Sequence, residues 1–461
     1  MKLQLKNRDN AIPFLNLFLY TLLAAVFIIT PMAKFSDRGI IPLREMSSLL
    51  MGAFFLVLSR RAIIQKLKRS QLERFFLLLM IFWGITSLIN TVNRLWTLYY
   101  YLTFYLFPYF YYIGLEGSFS KKIIDSDIVL KILLAIVLAN GIYMAVEYFF
   151  HEPMKEIVMF LKGELFYTRY PEVSGIFNGR TEGGGFISVV SVLSFWYYTE
   201  KARIGNIAGV TIVILSTLLP GSSNALITMF LGFHLIFLRK IINIFHMPRK
   251  IRASSLANSS AKYILIWIIT IFLLFILPYP MQRYHNLFPF LRPVAKTDLI
   301  NADDRVDAAG PAPKEERLLN GVVDVNNNSA GKRILIYRET LEIYKNKIWF
   351  GIGLRNLQLY LKTNGPYTIQ AHNMFLNFLA ETGFFGLLGL LTWLALFFRQ
   401  VFKSGLFLSK ENIMFLVFLF SMQFDYFIGH TSCLNFLFFT LLAILSHRIQ
   451  STTNTRHNGI A

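Results

Sequence analysis

Residues 331–385 read GKRILIYRETLEIYKNKIWFGIGLRNLQLYLKTNGPYTIQAHNMFLNFLAETGFF. The stretch closes the longest polar segment of a very apolar chain. It carries Arg333, Arg338, Arg355 and His372, and it runs into an apolar helix at His372. Apolar residues at Ile334, Ile336, Tyr337, Leu341 and Tyr344 are spaced for an amphipathic helix over 333–345. Asn364-Gly365-Pro366 signals a turn. Gly351-Ile352-Gly353 lacks the third glycine and the preceding strand of a dinucleotide fingerprint. It reads instead as a tight backbone passage.

The rest of the chain sets this stretch in a membrane. Of 461 residues, 55% are hydrophobic and only 16% charged, where a soluble protein carries about 25% charged. The apolar residues form long runs at 13–31, 46–58, 74–88, 96–115, 129–150, 186–198, 208–219, 223–238, 263–277, 373–398, 413–427 and 432–446. Each run suits a hydrocarbon-crossing helix. The expected fold is therefore an all-α polytopic membrane protein with about twelve transmembrane helices and a large extracytoplasmic loop containing amphipathic helices. Residues 1–280 hold spans one to nine, 281–371 the large loop, and 372–461 spans ten to twelve. The basic N-terminus leads into a run that reads as an uncleaved first helix.

A formal net charge of +20 suggests nucleic acid in a soluble protein. Here it serves orientation, because Lys and Arg gather in cytoplasmic loops. The second, fourth, sixth, eighth and tenth loops are all basic, through residues such as Arg60, Lys121, Lys201, Arg239 and Arg399. Both termini are then expected in the cytoplasm. The first loop, with Lys34, Arg38 and Arg44, departs from the pattern. Two outer loops are long, 151–185 and 281–371. Within the second, 298–328 has the composition of a disordered segment. With Cys433 alone there is no internal disulfide and no Cys-rich metal site.

Ionisable residues near hydrocarbon mark sites by default. They cluster on the outer side: Glu147, His151, Arg180, Glu182, His372, Asp425 and His430. The cytoplasmic ends are expected to carry basic loops without such a mix. The plain alternative is interfacial side chains reaching for water. Arg333 and Tyr337 share a helix face, while Arg338 points elsewhere. The Arg333 guanidinium suits a phosphate or diphosphate. Arg355 reads as a solvated loop arginine. His372 stands at a predicted helix N-terminus, which attracts anions and favours neutral imidazole, able to accept a hydroxyl proton. A helix-capping histidine is the plain alternative. Glu381 lies about 13 Å further along and takes no part in chemistry with His372. Gly183-Gly184-Gly185 reads as a flexible lead into a helix or a phosphate nest. No Walker, serine-elbow or metal-ligand motif occurs.

The runs G-K-R-I-L-I-Y, W-F-G-I-G-L-R-N and A-H-N-M-F-L-N-F-L-A-E-T-G-F-F-G resemble the core of the O-antigen ligase and polymerase superfamily, bacterial polytopic glycosyltransferases of the GT-C type. The resemblance implies transfer of a glycan from undecaprenyl diphosphate to an acceptor sugar, on the periplasmic side of the inner membrane. The ligase acceptor is lipid A–core; the polymerase acceptor is a second lipid-linked repeat. Neither metal nor other cofactor is implied, and no nucleic acid. By match, Arg333 is similar to the family's diphosphate-binding arginine, His372 to its essential histidine, and Arg180 in placement to a second diphosphate-binding arginine. The chain departs from the pattern at Gly221-Ser222-Ser223-Asn224, where members carry a Ser-Arg-Gly-like run. That passes the second anion contact to Arg180 or Arg169.

The histidine block favours a ligase, with a polymerase as the alternative. A flippase for the same glycolipid calls for charges midway along several helices and for matching halves, and the sequence has neither.

Overall fold

The computed structural model describes residues 18–28, 43–91, 93–161, 173, 175–177, 180–277, 329–364, 371–423 and 432–457. Among these there are helices and turns and no strand. The expected apolar runs each fall on a helix, in whole or in part: α1 Phe18–Ile28, α2 Leu43–Arg69, α3 Gln71–Asn90, α4 from Arg94 to Ser120, α5 Ser126–Phe149, α7 Arg180–Glu200, α8 Ile204–Leu218, α9 Ser223–Phe245, α10 Arg249–Ile276, α13 Met374–Lys403, α14 Lys410–Ser421 and α15 Ser432–His457. Between them lie α6 Lys155–Leu161, α11 Ser329–Lys345 and α12 Leu357–Asn364. Among the described residues, six helices are long and apolar enough to cross a membrane: α3, α5, α9, α13, Ile251–Ile276 of α10 and Cys433–Thr453 of α15.

Helix α15 runs through the middle of the bundle, with Leu434, Leu437, Leu441 and Leu445 all fully buried. It packs on α4, and a proline shapes that contact. Pro108 has no N–H to give the carbonyl of Phe104. The ladder slips into a π turn over Leu102–Leu106, in which Phe107 N–H reaches back to Leu102. The freed Phe104 carbonyl accepts instead from Asn435 Nδ2 of α15 at 2.7 Å. An unpaired carbonyl in hydrocarbon would cost several kcal/mol, so Pro108 and Asn435 form one device.

Ion pairs gather at one end of the bundle. Lys66 of α2 lies 3.2 Å from Glu73 of α3 and 3.3 Å from Glu116 of α4. The Tyr112 hydroxyl donates to Glu73 and sits 2.9 Å from Ser446 of α15. Asp127 binds Lys410 at 2.8 Å and Arg448 at 2.7 Å. Glu200 binds Arg239 at 3.1 Å, and Lys410 also lies over the ring of Tyr197. These contacts tie together the ends that carry loops two, four, six, eight and ten. They correct the expectation that this end carries basic loops without a mix of cations and carboxylates: Lys66, Arg239, Lys410 and Arg448 are paired, and Lys66, Glu73 and Glu116 are buried.

Lys66→Met leaves two buried carboxylates without their cation. Loss of roughly 3–5 kcal/mol of stability is expected, read as a lower midpoint of thermal unfolding in detergent. Asp127→Asn, at a half-exposed pair, should cost about 1 kcal/mol or less. Equal shifts in the two variants would show that burial does not set the strength of these pairs.

Candidate functional site

The opposite end holds the 331–385 stretch, and its construction begins with a break in α13. Gly383 has φ 71° and ψ −173°, a conformation open essentially to glycine alone. The break frees backbone groups on both sides, and residues 348–353 take them up. Ile352 N–H donates to the Ala380 carbonyl at 3.0 Å and Gly353 N–H to Glu381 at 2.9 Å. In return, Phe384 N–H donates to Ile348 at 2.8 Å and Phe385 N–H to Trp349 at 3.3 Å. Gly351, at φ 68°, completes the crossing. A Cβ on Gly351 would run into the Glu381 carbonyl, and one on Gly383 into the Trp349 carbonyl. The W-F-G-I-G and E-T-G-F-F runs are thus two halves of one backbone interlock. Four backbone groups beside the kink find backbone partners in the other segment, the kind of pairing a membrane-embedded backbone requires.

The first half of α13 carries this fixed point back to His372. Asn373, not His372, caps the helix: its Oδ1 accepts from Leu376 N–H at 3.0 Å. Its Nδ2 donates to the Gln423 carbonyl at 3.3 Å, and Met374 N–H donates to Met422 at 2.9 Å. On the other side, Ala371 N–H donates to Asn377 Oδ1 at 3.0 Å. His372 sits between these clamps in a left-handed conformation, φ 47°, half-buried. The capping reading of this histidine is therefore set aside, because Asn373 does that work. Its backbone is held on both sides, one residue before the Asn373 cap of α13.

Arg333 comes from α11. The buried side of α11 is Ile336 and Thr340, with Tyr337 and Ile343 at its edge. Ile334 and Leu341, expected on that face, are 56% and 42% exposed. Arg333 is one turn before Ile336 and Tyr337 on the same face, and half-buried. Arg338 is exposed and paired with Glu342 at 3.5 Å, as its position relative to Arg333 predicts. Glu339 is held above the usual carboxylate range by partial burial, with repulsion from Glu342 adding to it. At 100° per residue both carboxylates lie on the far side of α11 from Arg333. Arg333 makes no ion pair among the described residues.

One small core joins these parts: Ile336 of α11, Ile352 of the glycine passage, Leu357 and Leu361 of α12, and Ala371 and Ala380 flanking the start of α13. Arg333 and His372 border it. Arg355 follows the passage directly, and it overturns its sequence reading. It is 9% exposed, not a solvated loop residue. Its φ is 66°. The signal was present in G-I-G-L-R-N, but nothing in that run shows that its partner is the start of α4, where the guanidinium lies 5.0 Å from the centre of the Tyr100 ring.

Other expected residues fall elsewhere. Arg180 opens α7, and its side chain, like all of Arg169, Asp425 and His430, lies outside the described residues. So does the 298–328 segment. Glu147 and Glu182 are buried. Gly183-Gly184-Gly185 is neither nest nor flexible lead: it lies within α7, where Gly184 lets Ala225 of α9 approach closely. Gly221, at φ 64°, makes the turn from α8 to α9, and Ser222 caps α9. Among the described residues no group of His, Cys, Asp and Glu is arranged to hold a metal.

With the geometry in hand, a family model described as O-antigen ligase matches residues 208–391. The match runs from α8 to the second half of α13 and takes in Arg333, Arg355, His372 and both halves of the interlock. It bears out the resemblance to the O-antigen ligase and polymerase superfamily. No curated protein matches the chain. Apolar helices and this match together indicate a multi-pass membrane protein similar to a glycosyltransferase-like superfamily whose members act on lipid-linked glycans.

Proposed function

We propose that this chain of the O-antigen ligase type moves a glycan from undecaprenyl diphosphate to the sugar of an acceptor glycolipid, lipid A–core, on the periplasmic face of the inner membrane. The observation that carries this reading is His372, locked in a left-handed conformation beside the core that Arg333 borders. Diphosphate is already a good leaving group. The enzyme needs cations to hold it and a base for the acceptor hydroxyl. Arg333, with Arg180 and Arg169 from the earlier outer loop, holds the diphosphate oxygens. His372 takes the acceptor proton as that oxygen bonds to the anomeric carbon. The bond from anomeric carbon to diphosphate oxygen breaks, and undecaprenyl diphosphate leaves with the electron pair. Nothing in this scheme draws on a metal or a nucleotide.

Orientation follows the same division. The ion-pair end carries the basic loops and belongs in the cytoplasm with both termini. All twelve helices that carry the apolar runs then count as spans, with 281–371 as the large outer loop. The histidine end carries Trp349 stacked on Phe385, with Phe350 and Phe384 beside them, all 42–58% exposed. Such aromatics suit the membrane–water interface.

Acceptor choice tests ligase against polymerase. Purified protein with labelled undecaprenyl-diphosphate glycan is given lipid A–core, or a second lipid-linked repeat, in separate reactions. Label on lipid A–core is the expected product. A lengthened lipid-linked chain instead would make the enzyme a polymerase.

A further inference from the structure

Arg355 has no role in the scheme above, yet it is the most conspicuous charge at this end. Its Nε and one terminal nitrogen are buried and have no hydrogen-bond partner. No carboxylate among the described residues pairs with it. Arg355 lies over the face of Tyr100, whose ring stacks on Phe104 at 5.3 Å and meets Trp96 edge-on at 4.6 Å.

A guanidinium with N–H groups shut away from water and unpaired is an unfavourable arrangement. An aromatic face offsets part of that penalty but satisfies none of the N–H donors, which point in the plane of the group. The chain nonetheless builds a rigid mount for it. Just before it, Leu354 N–H donates to Ser87 Oγ at 3.0 Å, and Gly353 is held to α13 by the interlock. Just after it, Asn356 accepts from Thr91 Oγ1 at 2.9 Å and donates to Thr97 Oγ1 at 3.2 Å. Between these clamps Arg355 adopts a left-handed backbone that an arginine rarely takes. Held this way, the side chain goes inward over Tyr100 and not out to solvent. Strain and burial accepted together at one residue fit a site completed by a ligand.

We infer that Arg355 is an anion-binding residue that takes a phosphoryl oxyanion of the lipid-linked donor in its buried N–H groups. The inference rests on the donor reading given above, and adds to Arg333 a second cation, carried by the glycine passage that packs in the same small core. Ile352 and Leu357, on either side of Arg355 in sequence, pack in that core with Ile336, three residues after Arg333, and with Ala371, next to His372, so one small core joins the segments that carry all three side chains. Tyr100 backs the guanidinium and limits it to one approach.

The test is binding, which needs no turnover. Wild type, Arg355→Met and Arg355→Lys are placed in phosphatidylcholine nanodiscs. Affinity and the shift in melting midpoint are measured with undecaprenyl diphosphate, phosphate-free undecaprenol and phosphatidylglycerol. Wild type should prefer the diphosphate to undecaprenol. Arg355→Met should lose about ten- to a hundredfold of affinity for the diphosphate alone, with Arg355→Lys in between. A melting midpoint that falls in Arg355→Met while its preference for diphosphate matches wild type would make Arg355 a structural residue and overturn the inference. Loss of phosphatidylglycerol binding, with diphosphate binding intact, would assign the site to a membrane headgroup and overturn it too. If wild type itself fails to distinguish diphosphate from undecaprenol, the donor reading falls as well.

Discussion

His372→Asn is expected to lower the rate of glycan transfer by roughly 10²- to 10⁴-fold, the usual contribution of a positioned general base. Asparagine is the informative replacement because it tolerates the left-handed backbone that His372 adopts at φ 47°. The clamps through Ala371, Asn373 and Asn377 then stay in place. Affinity for the donor should remain within a few-fold of wild type, since the diphosphate is assigned to arginines. Steady-state rates and donor binding on the same preparation separate the two effects. A variant that keeps its turnover but binds donor poorly would make His372 a binding residue, with no role in proton transfer.

The second large effect is structural. Gly383→Ala puts a Cβ against the Trp349 carbonyl and Phe350 N–H in a backbone region that alanine avoids. Strain at such a position costs about 1–3 kcal/mol, and overpacking adds about 1–3 kcal/mol more. The four hydrogen bonds between residues 348–353 and 380–385 share the displacement. A much lower melting midpoint is expected, together with lost transfer, because the His372 end of α13 is referenced to this crossing. Gly205→Ala is the control, since a Cβ there meets nothing within 4 Å. If Gly383→Ala melts like Gly205→Ala, the interlock does not hold the two segments.

The sequence made some of this legible and hid the rest for physical reasons. Hydropathy located a helix under each apolar run, because burial and lipid both select apolar side chains. It underestimated their lengths at the ion-pair end. Helix α2 continues to Arg69, α9 to Phe245 and α15 to His457, past the hydrocarbon-like runs, where polar residues carry no hydropathy signal. Spacing singled out Arg333 over Arg338 correctly as the arginine on the buried side of α11. It misjudged the face itself at Ile334 and Leu341, since apolar side chains at a membrane surface need not point into the protein. The G-I-G run looked like a tight passage, which it is. Its partner could not be read, because the pairing with Ala380 and Glu381 is set by a kink about 30 residues away in sequence. Arg355 was missed for a related reason: a loop arginine is ordinarily solvated. Only the clamps to Ser87, Thr91 and Thr97, all from another part of the chain, turn it inward.

The most direct test of the proposed chemistry is a single-turnover transfer with purified protein, labelled undecaprenyl-diphosphate glycan and lipid A–core, in a metal chelator and without nucleotide. Wild type should move label to the acceptor and release one undecaprenyl diphosphate per glycan transferred. Arg333→Ala should bind donor weakly, and His372→Asn should bind it and transfer almost nothing. No transfer by a wild-type protein that binds both substrates, or equal transfer by all three proteins, would contradict a glycosyltransferase built on Arg333 and His372.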